Sequence, residues 1–323
     1  MYREAGMMLG LDPEIRAALG AVPLPDPEDG PGHSDALGIR AALEPLYRAL
    51  FERVPAPPDV DVSEHGAASA DGTRVPLRLY RRRGFPSTGL VVYLHGGGMI
   101  AGGVDLYDPL MRVYAAASGV PVLAVEYRLA PEHPYPAGVE DAYAAIVWAA
   151  KHADELGADL GRIAVAGDCG GAGIVAGAVL LGRDRGGPTL AGQALIQPML
   201  DDRTVTADPL LGRESIWTHR DNRAAWAAVL GRPIDEEPGH TAPYAAPARA
   251  GDVAGLPPTY LEIAGLDVVR DEALAFGARL ARVGTPVELH LHPGAPHAFD
   301  LLAPDAAVSQ RAMEDRIRFF SGF

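Results

Sequence analysis

The sequence predicts an α/β protein with a mostly parallel sheet and helices on both of its sides. Three observations predict it. Short apolar runs without polar alternation recur along the chain, as strands buried on both faces require. Helical stretches separate them, and repeated strand, helix, strand order builds parallel pairs through crossovers. The length of 323 residues, with 48% hydrophobic and 22% charged content, suits one large domain with a sizeable core.

Residues 1–58 read as a helical appendage. Two weak helical patterns, Pro13 to Leu19 and Ala36 to Phe51, flank the Pro/Gly/Asp-rich stretch Pro23 to Gly32, and Val54 to Pro58 closes the segment. Residues 59–323 form the core, with β-type runs at Val75 to Tyr80, Leu90 to Leu94, Pro121 to Tyr127, Arg162 to Ala166, Leu190 to Gln197, Thr259 to Ala264 and Pro286 to His292. Val139, Ala142, Tyr143, Ile146, Val147 and Ala150 repeat at helical spacing, with Glu140, Asp141 and Lys151 expected off that face. Residues 201–255 break the rhythm: they carry Trp217, Trp226 and a helical stretch, Asp221 to Leu230, and read as a helical insertion.

Composition excludes several classes of function. With 28 basic against 42 acidic residues, the net charge of −14 opposes a nucleic-acid partner. A lone cysteine, Cys169, closes no internal disulfide, and a lone lysine, Lys151, leaves almost no candidate for Schiff-base chemistry. The stretch Met1 to Gly10 has no signal-peptide pattern, so a cytoplasmic location is expected. No stretch is both free of charge and predominantly apolar over the roughly 20 residues of a membrane span, so none is expected.

The strand Arg162 to Ala166 runs straight into Gly167-Asp-Cys169-Gly170-Gly171 and then an apolar helix. A sharp strand-to-helix turn needs glycine two residues before and after its apex, and it holds the apex side chain as an exposed nucleophile at a helix N-terminus. Here the apex is Cys169. A free cysteine is more often a small buried hydrophobe, but its placement argues for the nucleophile. Gly171-Ala-Gly173-Ile-Val-Ala176 also fits a dinucleotide fingerprint, yet no acidic residue ends the next strand run.

Upstream, Leu90 to Leu94 empties into His95-Gly96-Gly97-Gly98, whose unshielded N–H groups suit an oxyanion. Gly170, after the nucleophile, supplies a further donor. A thiol needs a base and the base an orienting acid. The later strand ends supply Asp267 and His297, in the order nucleophile, acid, base. Glu262 and Asp271 compete as acids but fall inside a strand and a helix. His290 and His292 share a strand face, but without acidic partners at ligand spacing no metal site is expected. His133 reads as a turn residue, and His95 as a brace for the glycine loop.

With these motifs in place, the chain resembles the hormone-sensitive-lipase-like α/β-hydrolases, the bacterial carboxylesterases of the HGGG group. The likeness rests on Asp71 to Tyr80, His95-Gly-Gly-Gly98, Tyr127 to Pro134, Gly167 to Gly171, Pro198 to Arg203, Leu256-Pro-Pro258, Asp267 to Glu272 and His297-Ala-Phe299. It implies an α/β-hydrolase fold of eight strands and a helical cap formed by residues 1–58 and 201–255. It also implies oxyanion donors at Gly97, Gly98 and Gly170, small or short-acyl ester substrates, no cofactor, and the homodimers common in that family. The chain departs from it at Cys169, where the family has serine. The expected activity is ester hydrolysis through a thioacyl-enzyme on a Cys169–His297–Asp267 triad, with a lactone or thioester as further substrate types. The alternatives are acyl transfer to an acceptor other than water, a serine esterase whose nucleophile was replaced by design, and a non-catalytic binding protein on the same scaffold.

Overall fold

Apolar runs of four to six residues become the middle of one eight-stranded sheet in the computed structural model, which describes residues 10–20, 35–206, 208, 211, 217–234 and 239–323. The strands are β1 (Val60–Ala68), β2 (Arg74–Arg82), β3 (Leu90–Leu94), β4 (Val122–Val125), β5 (Ile163–Asp168), β6 (Gly192–Ile196), β7 (Thr259–Ala264) and β8 (Val287–His292). They lie in the order β1-β2-β4-β3-β5-β6-β7-β8, with β2 antiparallel to both neighbours and every other pair parallel. All residues of β3, β4, β6 and β7 are buried. That explains why these strands lack alternation.

The two edges differ from the expectation. β1 was not among the expected strands because its polar sequence buries only Val60 and Ala67, which an antiparallel edge facing water allows. β8 was expected to be buried on both faces. It closes the other edge instead, and Leu289 and Leu291 are 41% and 44% exposed.

The helices of the core are α3 (Val104–Ser118), α4 (Ala137–Lys151), α5 (Cys169–Asp184), α7 (Arg270–Arg282), α8 (Phe299–Leu302) and α9 (Ala307–Phe320). Helices α4 and α5 pack on each other, as do α3 and α9. Asp141 of α4 corrects the expected helix face. It is fully buried, because Arg128 holds both its oxygens at 2.7 and 2.9 Å and the Arg128 N–H adds a third bond at 3.0 Å. A carboxylate paired this completely tolerates removal from water.

Outside the core lie α1 (Pro13–Leu19), α2 (Ala36–Phe51) and α6 (His219–Leu230). Asp35 caps α2 by accepting the Gly38 N–H at 2.8 Å, and Ile39, Leu43, Tyr47 and Leu50 form its buried stripe. This stripe meets α3, α6 and α8. Thr218 and Asp221 form a reciprocal capping box that starts α6. Buried Asp202 accepts from Arg249 and from Thr241, which ties the start of the 201–255 segment to its end. The stretch Pro23 to Gly32 lies outside the described residues. Among those described, no helix is long and apolar enough to cross a membrane.

Candidate active site

At the end of β5 the chain turns directly into α5, and Cys169 at the turn has a φ of 52°, in the left-handed region. Such a conformation costs of order 1–3 kcal/mol for a residue with a side chain, so its surroundings must enforce it. They do so through close packing. A Cβ on Gly171 would lie 2.3 Å from the carbonyl oxygens of Leu94 and His95, and one on Gly167 would lie 2.8 Å from Leu94 O. The glycine frame of the motif is therefore steric. Helix α5 is buried from Cys169 to Leu181, so its N-terminal dipole acts on the thiol with little screening by water.

The glycine loop after β3 rests on this turn. A Cβ on Gly170 would lie 2.5 Å from Met99 N and 2.8 Å from Gly98 Cα, so the two backbones touch. Gly97 and Gly98 have φ values of 114° and 61°, and the Gly97 carbonyl accepts from the N–H groups of Ile100 and Ala101. His95 braces the loop. Its Nδ1 donates to Gly96 O at 2.8 Å, and its ring stacks on Tyr127 at 4.3 Å. Burial pushes the His95 imidazole down to about 4, which leaves it neutral.

Asp267 follows β7, His297 follows β8, and both are buried. The His297 Nδ1–H donates to Asp267 Oδ2 at 2.5 Å, and the ring lines the same narrow cavity as Cys169. Burial opposes an imidazolium here. The negative charge of Asp267 and the contact with Cys169 outweigh it and hold His297 well above its ordinary value. Both rival acids are engaged elsewhere: Asp271 pairs with Arg270 at 2.7 Å and Glu262 with Arg316 at 2.5 Å.

Three contacts at the site were not among the sequence expectations. Asp168 lies under the glycine loop, accepting from Tyr93 at 2.9 Å and Tyr107 at 2.7 Å, while Tyr107 accepts the Gly96 N–H at 3.0 Å. Burial lifts its carboxyl to about 6, against the pull of the two phenols. Trp217 lies on the other side of that loop: a Cβ on Gly98 would come within 2.3 Å of its indole. Trp226, by contrast, is core of α6. Gln197 ends the β6 run and shares a narrow cavity with Cys169, His297, Tyr47 and Asp168. Its place at the carboxyl end of a central parallel strand was the one available signal.

His290 requires a correction. Acidic partners are present after all, because Glu288 and Asp315 approach its Nε2 and Nδ1 at 2.7 and 3.3 Å. The first is two residues away on the same face of β8, and the second comes from α9. Arg318 already pairs with both carboxylates.

Three comparisons place these observations among known proteins. The family described as the alpha/beta hydrolase fold matches residues 91–301. The chain is 38% identical over 295 residues to Esterase LipI of Mycobacterium tuberculosis, covering 87% of this chain and 85% of that protein. It is 39% identical over 282 residues to Carboxylesterase NlhH of the same organism, covering 81% and 85%. Among solved structures, a bacterial heroin esterase superposes with a TM-score of 0.85 at 35% identity, over 97% of this chain and 98% of that one.

Proposed function

This chain belongs to the α/β-hydrolase fold family, and we propose that it is a carboxylesterase in which Cys169 is the nucleophile, His297 the general base and acid, and Asp267 its orienting carboxylate. The observation that carries the reading is the placement of His297 between Asp267 and Cys169, at the carboxyl ends of β5, β7 and β8. The esterase names of the relatives support the reaction class.

His297 takes the thiol proton and Cys169 Sγ attacks the ester carbon. The N–H groups of Gly97, Gly98 and Gly170 receive the oxyanion, a term worth about 3–4 kcal/mol per donor in comparable sites. His297 then protonates the departing alkoxide, which leaves a thioester on Cys169. Water activated by His297 attacks that carbonyl, and the thiol is regenerated as the acid departs. Beyond the ester and water, the steps draw on protein groups. Substrates of this reading are small or short-acyl esters, lactones and thioesters, and residues 1–58 and 201–255 act as the cap, with Trp217 at its contact with the oxyanion loop. The exposed Leu289 and Leu291 on edge strand β8 support a homodimer through this edge, which a mass measurement in solution checks.

Turnover of p-nitrophenyl acetate by the intact chain tests the reading. Alkylation by iodoacetamide, which meets one cysteine in 323 residues, is expected to stop turnover, and Cys169→Ala to lack it. Turnover that survives both overturns the assignment.

A further inference from the structure

Asp267 holds the His297 ring at one atom only, Nδ1. A ring anchored at one point swings about that bond, and catalysis needs its other nitrogen kept on the sulfur. A misplacement of about 1 Å costs about 10²-fold in rate. The backbone beside His297 supplies a second point. Ala298 has a φ of 57°, and its N–H donates to Gln197 Oε1 at 2.6 Å. Gln197 is itself left-handed, with a φ of 47°, and is buried. Two residues with side chains that meet in this strained region of backbone space keep it only because the surrounding fold holds the contact between them.

The rest of the carboxamide is used too. Gln197 Nε2 donates to Glu262 Oε1 at 3.3 Å, and Asp300 lines the same cavity as Gln197. Both acids grip the buried Arg316 guanidinium, each at 2.5 Å, and Tyr114 Oη lies 3.2 Å from it. The amide thus has one orientation. Flipped, it would set an N–H against the Ala298 N–H and an oxygen against the Glu262 carboxylate. The titratable groups around it are Glu262 from β7, Asp300 from α8 and Arg316 from α9, with Cys169, Asp168 and His297 lining the shared cavity.

We propose that Gln197 is the positioning residue of the base: its carboxamide, oriented by the Glu262–Arg316–Asp300 cluster, pins the peptide N–H next to His297 and so keeps the imidazole between Asp267 and Cys169. The proposal rests on the reading of Cys169 and His297 as nucleophile and base.

The test compares Gln197→Met with Gln193→Met. Gln193 is a matched control, equally buried at the other end of β6, where its Nε2 donates to Thr259 at 2.9 Å. Two readouts apply to each variant: kcat and KM for p-nitrophenyl acetate, and the rate of Cys169 alkylation by iodoacetamide as a function of pH. Alkylation needs neither oxyanion hole nor ester pocket, so it reads the Cys169 thiol and its contact with His297 apart from ester turnover. Gln197→Met is expected to lower kcat about 10- to 100-fold with KM within about twofold. Its alkylation should slow at neutral pH and reach the parent rate only at higher pH. Gln193→Met is expected to lower thermal stability while leaving kcat and the alkylation profile in place. Should Gln197→Met fail to fold, Gln197→Asn keeps a buried amide one methylene short of Ala298, and the same shift is expected of it. Parent-like kcat and alkylation in the Gln197 variants, or equal changes in the Gln193 control, overturn the positioning role. If alkylation leaves the parent enzyme active, it is the Cys169 assignment that fails.

Discussion

From Leu94 to Gly171 the site is held by backbone packed on backbone, whereas from Asp267 to Arg316 it is held by charged and polar side chains. In the first region the contacts are collisions avoided: Gly167, Gly170 and Gly171 each touch main-chain atoms that a Cβ would overlap. In the second they are bonds made, running from Asp267 to His297 and from Ala298 through Gln197 to Glu262, Arg316 and Asp300. On the proposed reading, a nucleophile held under strain suits the first kind of support, because close packing resists relaxation. A base that must take and give a proton suits the second, because charges set both its place and its affinity for the proton.

Substitutions that exchange the two kinds of support should break this contrast. The largest effect is expected of Gly171→Ala, whose Cβ would meet two carbonyl oxygens at 2.3 Å. It should exceed the about 1–3 kcal/mol of ordinary overpacking and abolish activity, as denaturant midpoint and turnover would report. Asp267→Asn comes next. It keeps the shape but removes the charge that raises His297, and kcat/KM should fall about 10³-fold with the thermal midpoint nearly unchanged.

Asp168 is a buried carboxyl group inside the backbone-held half, and its pH dependence sharpens the comparison. Its carboxyl, lifted to about 6 in the folded chain from an ordinary 3.8, keeps a proton that the unfolded chain has already released. Stability from this group therefore falls as pH rises through that window, by up to about 3 kcal/mol. Asp168→Asn should remove this slope in urea titrations between pH 4 and pH 7. His297 acts in the same sense at higher pH, since its raised value favours the folded chain until the imidazolium is lost. The smallest effect is expected of Arg40→Met. Arg40 ties α2 to Ile100 O at 2.5 Å, just past the glycine loop, and to a half-exposed Glu132. A loss of about 1 kcal/mol is expected, with KM rising more than kcat falls.

The same contrast explains what was legible in the sequence. The glycine spacing of a sharp turn is a local pattern, so Gly167 to Gly171 and His95 to Gly98 were legible in the sequence, although the atoms a Cβ would meet there, those of Leu94, His95, Gly98 and Met99, come from another strand and its loop. Asp267 and His297 could be found from chain order and strand ends alone. Gln197 could not, because the Ala298 N–H it receives is 101 residues away and only the assembled sheet brings them together. Asp141 was assigned to the wrong face for a similar reason, since its burial depends on Arg128 in a preceding loop. β1 was absent from the expected strands because an edge strand facing water need not alternate cleanly. At His290, Asp315 arrives only through the fold, from α9, whereas Glu288 lies two residues away on the same strand face and was visible in the sequence.

The most direct measurement of the central claim is intact-mass spectrometry of the protein after brief exposure to p-nitrophenyl acetate and an acid quench. One added acetyl group is expected, lost on treatment with hydroxylamine as a thioester requires, localised to the peptide carrying Cys169, and absent after prior alkylation. An acetyl group on any other residue, or release of p-nitrophenol by the alkylated protein at an unchanged rate, would contradict a thiol nucleophile at the β5–α5 turn.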